Sequence, residues 1–163
     1  MLIHPFDPLY DENARVLILG SFPSVKSREV NFYYGHPRNR FWQVMAELLD
    51  EKVPVSVPAK REMLLKHGIA LFDVIRSCEI RGSSDSSIRN AQVNDLSPIL
   101  SASRIGDRVY TNGKKAGELY RKYIYPQNGI PATVLPSTSP ANAAWSLERL
   151  VREWGGLLRL KHI

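Results

Sequence analysis

The run RVLILG at 15–20 constrains this chain more than any other stretch. It is apolar throughout its centre, too short for a buried helix, and closed by a glycine. Those features predict a buried strand followed by a turn. The pattern recurs in IALFDVI (69–75), RVYT (108–111) and ATVLPS (132–137). Helical stretches fall between these runs. In NRFWQVMAELLD (39–50), Phe41, Trp42, Val44, Met45, Leu48 and Leu49 share a helical period. PAKREMLLKHG (58–68) reads as a second helix stopped by Gly68, DLSPILSAS (95–103) as a short one, and KKAGELYRKYI (114–124) as another. SPANAAWSLERLVREW (139–154) predicts a long last helix, with Ser139 as cap, Pro140 in the first turn, and Gly155 and Gly156 at its end. The polar stretch RSCEIRGSSDSSIRN (76–90) reads as a loop.

Short apolar strands between amphipathic helices imply a parallel sheet covered on both faces. The expected fold is α/β, a three-layer αβα sandwich around a four-stranded, mostly parallel sheet, in a single domain over 1–163. In such sheets ligands bind beyond the carboxyl ends of the strands. That places four loops at the expected site: GSFPS, DVIRSC, TNGKKA and LPSTSPAN.

Cysteine usage narrows the chemistry. Cys78 is the sole cysteine, which excludes an intrachain disulfide, a cysteine-rich zinc site and an all-cysteine iron–sulfur cluster. A lone thiol suits a reducing compartment. The first residues lack a basic-then-apolar signal pattern, and no apolar run is long enough to span a bilayer. A cytoplasmic monomer with no membrane role and no cofactor is expected. The charge of +6, from 22 Lys plus Arg against 16 Asp plus Glu, favours a polyanionic partner such as nucleic acid. It is equally compatible with a basic protein that binds none.

Several loop residues admit two roles. GSFPS lacks the spacing of a phosphate-binding or dinucleotide fingerprint, so in isolation it is an ordinary tight turn. In LPSTSPAN three hydroxyls precede an expected helix start, whose free N–H groups attract anions. Capping by Ser139 would account for one hydroxyl but not for Ser137 and Thr138. Asn112 is either a turn residue before Gly113 or an amide able to read a base edge. His36 has no neighbouring ligand to share a metal, and a hydrogen-bonding role suits it better. Asp73 ends an apolar strand and reads as a turn-capping carboxylate. Asn39 lies at a helix start, where capping is natural, yet Tyr33, Tyr34, His36 and Phe41 surround it in YYGHPRNRFW. That run could instead be a stacking pocket with one amide aimed into it.

Taken together, these stretches resemble the uracil-DNA glycosylase superfamily. HPRNRFWQV is similar to the HP-x-NRFW signature of its mismatch-specific uracil and thymine branch; LILGSFPS corresponds to that branch's first motif and LPSTSPAN to its last. Two departures separate the chain from that branch. Phe22 stands where it has a water-activating Asn, and Leu135 where a His or Asn would precede Pro-Ser. Both resemble the hypoxanthine-DNA glycosylase branch instead.

The resemblance implies an enzyme that flips a deaminated base out of DNA, hypoxanthine first and uracil second, and hydrolyses its N-glycosidic bond. It implies a catalytic Asn39, base contacts from Phe22, Tyr34 and Asn112, and phosphate contacts from Ser24, Ser137, Thr138 and Ser139. No lysine lies in these motifs as a Schiff-base nucleophile, so strand cleavage is not expected. The competing readings are a hydrolase or transferase of free nucleotides and a nucleic-acid-binding domain without chemistry.

Overall fold

The computed structural model describes residues 1–160. Its centre is a four-stranded parallel sheet. The chain opens with β1 (Leu2–Ile3) and enters that sheet at β2 (Val16–Gly20). Helices α1 (Val25–Val30), α2 (Phe41–Leu48) and α3 (Val57–Lys66) follow. Next come β3 (Ile69–Asp73), β4 (Ile75–Glu79), β5 (Arg89–Val93) and α4 (Ser97–Ser101). Then β6 (Val109–Asn112) leads into α5 (Lys114–Leu119), which continues through a π-helical turn (Tyr120–Ile124) into α6 (Tyr125–Asn128). The last elements are β7 (Thr133–Leu135) and α7 (Leu147–Leu158).

The central order is β3-β2-β6-β7, with every neighbouring pair parallel. Helices flank the sheet, as the alternation of elements predicts. Val16, Leu17, Ile18 and Leu19 are wholly buried, which explains an apolar run without alternation. Each such side chain contributes about 1.5–3 kcal/mol relative to exposure. Register sets the site: Gly20 lies opposite Asp73, and Asn112 opposite Leu135. All four strand ends therefore meet at one rim.

Two expectations fail. The stretch 76–90 is not a plain loop. β4 and β5 form an antiparallel hairpin, and β1 adds to its edge to make a second, three-stranded sheet. Only part of β4 is buried, and its pairing with β5 is irregular, so no clean two-residue pattern marks it in the sequence.

The last helix does not begin at Ser139. It starts at Leu147, and Ser146 caps it by accepting a hydrogen bond from the Arg149 N–H at 3.1 Å. It also runs through Gly155 and Gly156 to Leu158. Gly155 serves packing rather than termination, since an added Cβ would lie 3.1 Å from Leu48 on α2. Phe41 and Trp154 meet edge-on at the same helix contact. Ser146→Ala should lower unfolding free energy by about 1 kcal/mol in urea titrations, the usual cost of a lost N-cap. Ser139→Ala should cost less, because its hydroxyl group only closes a local turn with the Ala141 N–H.

Candidate functional site

The four strand ends, together with the segment before α2, enclose one cavity lined by both polar and aromatic groups. Gly20, Phe22, Tyr34, Asn39, Asp73 and Asn112 all contribute to its wall. The YYGHPRN segment supplies much of one side, and its aromatic rings brace one another. The Tyr34 ring stacks on Phe41, with centroids 4.1 Å apart and planes at 24°. Its backbone is left-handed, with φ of 53°, a conformation that costs a non-glycine residue on the order of 1 kcal/mol. The stacked ring fixes Tyr34 in it.

The Tyr34 hydroxyl is buried without a hydrogen-bond partner among the described residues. Burial, reinforced by the charge of Asp73, raises its pKa far above the ordinary phenol range. Asn112 acts in the opposite sense without closing a hydrogen bond to it. Tyr34 is therefore a neutral hydroxyl at any working pH, with a proton to donate.

Asn39 belongs to a hydrogen-bond chain whose direction is fixed at two points. Its Oδ1 accepts the Phe41 N–H at 2.9 Å, and the Asn112 Oδ1 accepts the Thr138 N–H at 3.1 Å. Backbone N–H groups only donate, so both amide orientations follow. The Asn112 Nδ2 then donates to the Thr138 Oγ1 at 2.9 Å, and the Thr138 hydroxyl donates to the Asn39 Oδ1 at 2.8 Å. Both lone-pair directions of the Asn39 oxygen are occupied. Its Nδ2 makes no hydrogen bond among the described residues, and it is the amide's remaining donor toward the cavity.

Arg40 braces the loop at 137–140 that completes the wall beside Asn39. Its guanidinium donates to the carbonyls of Ser139 at 3.1 Å, Asn142 at 3.0 Å, and Trp145. Its backbone N–H donates to the Thr138 carbonyl at 3.0 Å. A helix through 139–145 would need those side-chain-bound carbonyls for its own ladder. Arg40 thus shapes the loop that replaces the expected helix start.

A second pair lies at the end of β3. Asp73 is only 4% exposed, and its Oδ2 lies 2.7 Å from the His4 Nε2. Gly20 faces this carboxylate. A Cβ there would lie 2.5 Å from the Asp73 Oδ1 and 3.3 Å from the Tyr34 hydroxyl. Glycine is required at this strand end because the two polar groups close on its Cα.

A match to the family model "Uracil DNA glycosylase superfamily" spans residues 8–155. The chain belongs to the uracil DNA glycosylase superfamily. It is a DNA glycosylase, a hydrolase of N-glycosyl bonds. It is 36% identical over 160 residues to a hypoxanthine DNA glycosylase of Methanosarcina acetivorans, covering 98% of this chain and 99% of that one. A hypoxanthine DNA glycosylase of Methanosarcina barkeri is 33% identical over 138 residues, 84% of this chain and 86% of the relative. A solution NMR structure from M. acetivorans, described as a candidate uracil DNA glycosylase, superposes with a TM-score of 0.79. It is 33% identical and covers 99% of this chain and 100% of that one.

Within this glycosylase fold, Asn39, Phe22, Tyr34 and Asn112 do converge on one cavity. The hydroxyls expected to hold phosphate have other duties. Thr138 leaves that set: it is wholly buried and relays between Asn112 and Asn39. No helix begins at Ser139, so aligned helical N–H groups do not support an anion there. The Ser137 Oγ accepts the Ser139 N–H at 3.1 Å. Ser24 caps α1 through the Ser27 N–H, also at 3.1 Å. Asn112 has both ends of its amide engaged by Thr138, so it reaches Asn39 through that residue. Asp73 caps no turn through its side chain; it pairs with a histidine.

Three contributors had little local signal. His4 and Asp73 are far apart in sequence, as are Arg40 and its loop. The stretch 83–85 also reaches the cavity rim: the Ser21 hydroxyl donates to the Asp85 Oδ1 at 2.7 Å, and the Val25 N–H donates to the Ser83 Oγ at 2.9 Å. Among the described residues no cluster of metal-ligating side chains occurs, and no helix is long and apolar enough to cross a membrane.

Proposed function

We propose that this glycosylase removes hypoxanthine from DNA, with uracil as a second substrate, by hydrolysis of the N-glycosidic bond and without strand cleavage. The observation that carries the mechanism is the locked Asn39 amide. Its oxygen already accepts two hydrogen bonds, so it is poorly suited to take a proton from water. Its Nδ2 is available to donate. Cleavage of the bond leaves positive charge on the sugar and negative charge on the departing base. A preorganised donor in a water-poor site stabilises that developing anion and needs no reorganisation.

The target nucleotide swings out of the duplex to reach the cavity. Phe22, 8% exposed at the cavity wall, offers a ring face to the base. Arg28 lies over the same ring at 5.8 Å and steadies it. Ser24, Ser137 and Ser139 contact phosphates with the hydrogen-bonding capacity their local turns leave free. Asn112 acts through Thr138 on Asn39. The protein works as a cytoplasmic monomer.

The test is a panel of duplexes, each with one deoxyinosine, deoxyuridine or deoxyxanthosine, run beside the free nucleosides and nucleotides. Release of hypoxanthine from the duplex, with monomers left intact, is the expected result. Processing of monomers alone would replace the reading with a nucleotide hydrolase. Binding without release would leave a nucleic-acid-binding module.

A further inference from the structure

We infer that Asp73, paired with the Tyr34 hydroxyl, reads the Watson–Crick edge of the flipped base and selects bases that carry a ring N–H beside a carbonyl. The inference rests on the base-release reading above and adds its selectivity. A buried carboxylate in a DNA-handling cavity needs a reason, since it repels phosphate and costs free energy to desolvate. Asp73 is held so that one oxygen is committed and the other is not. The His4 Nδ1 accepts the Phe6 N–H at 3.5 Å, so the ring hydrogen sits on Nε2 and points to the Asp73 Oδ2. His4 is fixed in turn by Phe6 and Phe72, with ring centroids 4.7 and 5.1 Å away.

The Asp73 Oδ1 accepts no hydrogen bond among the described residues and closes on Gly20 beside the Tyr34 hydroxyl. The two groups thus form an acceptor next to a donor at the cavity wall: Asp73 is 4% exposed with its Oδ1 unpaired, and the Tyr34 hydroxyl has no hydrogen-bond partner, among the described residues. The complementary ligand edge is a donor next to an acceptor. Deamination creates that edge. Adenine has a lone pair at ring N1 and cytosine has one at N3. Hypoxanthine and uracil have an N–H at those atoms, with a carbonyl alongside. A carboxylate only accepts, so it forms a charge-assisted hydrogen bond with the deaminated base and faces a lone pair in the parent base. Guanine and thymine carry the same lactam edge, but extrusion costs least for a mismatched or damaged base, so correctly paired ones stay in the stack.

His4 makes the proposal sharply testable. In Asp73→Asn the His4 N–H still requires an acceptor, so the amide oxygen turns to His4 and the NH2 group enters the cavity. The substitution inverts the reading group from acceptor to donor. The experiment compares single-turnover release from duplexes containing deoxyinosine with those containing deoxynebularine, whose purine has an N1 lone pair and no 6-carbonyl. Intrinsic leaving-group differences cancel when each variant is expressed as an inosine-to-nebularine ratio. That ratio should fall by roughly a hundredfold or more in Asp73→Asn, as expected where a buried polar group loses its matched partner. A proportional loss on both substrates, or no change on either, would overturn the inference. Equilibrium binding of the parent protein to non-cleavable 2′-fluoro analogues of the two nucleotides supplies a readout independent of the variant's folding. Preference for the inosine analogue supports the inference, and equal affinity overturns it. If the parent protein releases no base from any duplex, the glycosylase reading falls, and this binding comparison still decides the selectivity.

Discussion

Asn39→Ala should slow single-turnover release of hypoxanthine by roughly a hundredfold or more, the effect of removing one preorganised donor from a water-poor site. The same change removes the acceptor of the Phe41 N–H and strands the Thr138 hydroxyl. A stability loss of about 1 kcal/mol is therefore expected beside the rate loss, and thermal melting separates the two. Asn39→Asp distinguishes them further. It keeps an oxygen for Phe41 and Thr138, so the fold should recover, but it has no N–H to donate, so the rate should not. A folded Asn39→Asp protein working at the parent rate would show that the oxygen, not the donor, matters.

Arg40→Met should be the most destabilising change at the rim. The variant keeps much of the apolar stem but leaves the Ser139, Asn142 and Trp145 carbonyls without their cationic partner. Hydrogen bonds to a charged group contribute about 1.5–3 kcal/mol each, and water replaces part of that in this half-exposed site. A net loss of about 3 kcal/mol, with Tm lower by roughly 10 °C, is expected in calorimetry. Base release should fall as well, because the loop that Arg40 shapes carries Thr138. Arg40→Lys restores the charge but not the planar fork that reaches several carbonyls, and should recover only part of the loss. A melting temperature unchanged in Arg40→Met would remove Arg40 from the account of the loop.

How far the chain could be read from its sequence depends on the range over which each feature is decided. β2 and β3 are legible because every residue in them is buried and their runs are almost wholly apolar; β6 and β7 are shorter, and β7 is mostly exposed, so their place between helical stretches marks them more than their own residues do. The hairpin at 75–93 is not legible, because it is only partly buried and irregularly paired. The start of α7 is not legible locally, for a tertiary reason. Ser139 and Pro140 make a sound local start signal, but Arg40, far away in sequence, takes the carbonyls a helix there would use. Ser146, followed by Glu148 in the first turn, makes an equally good cap nearer the amphipathic stretch. Asn39 could be singled out because its neighbours in sequence are also its neighbours in space. Its partner Thr138 lies in a stretch whose hydroxyls read as phosphate-binding, and a relay between two amides leaves no mark in a linear sequence. The His4–Asp73 pair was invisible for the same reason: the residues lie 69 positions apart and meet only when β3 is in place.

The most direct test of the account is the identity of the products from a duplex with a single deoxyinosine. Mass analysis of a single-turnover reaction should find free hypoxanthine and an intact strand with one abasic site, in equal amounts. Release of deoxyinosine or its monophosphate, or a strand broken at the lesion without added base or heat, would contradict it.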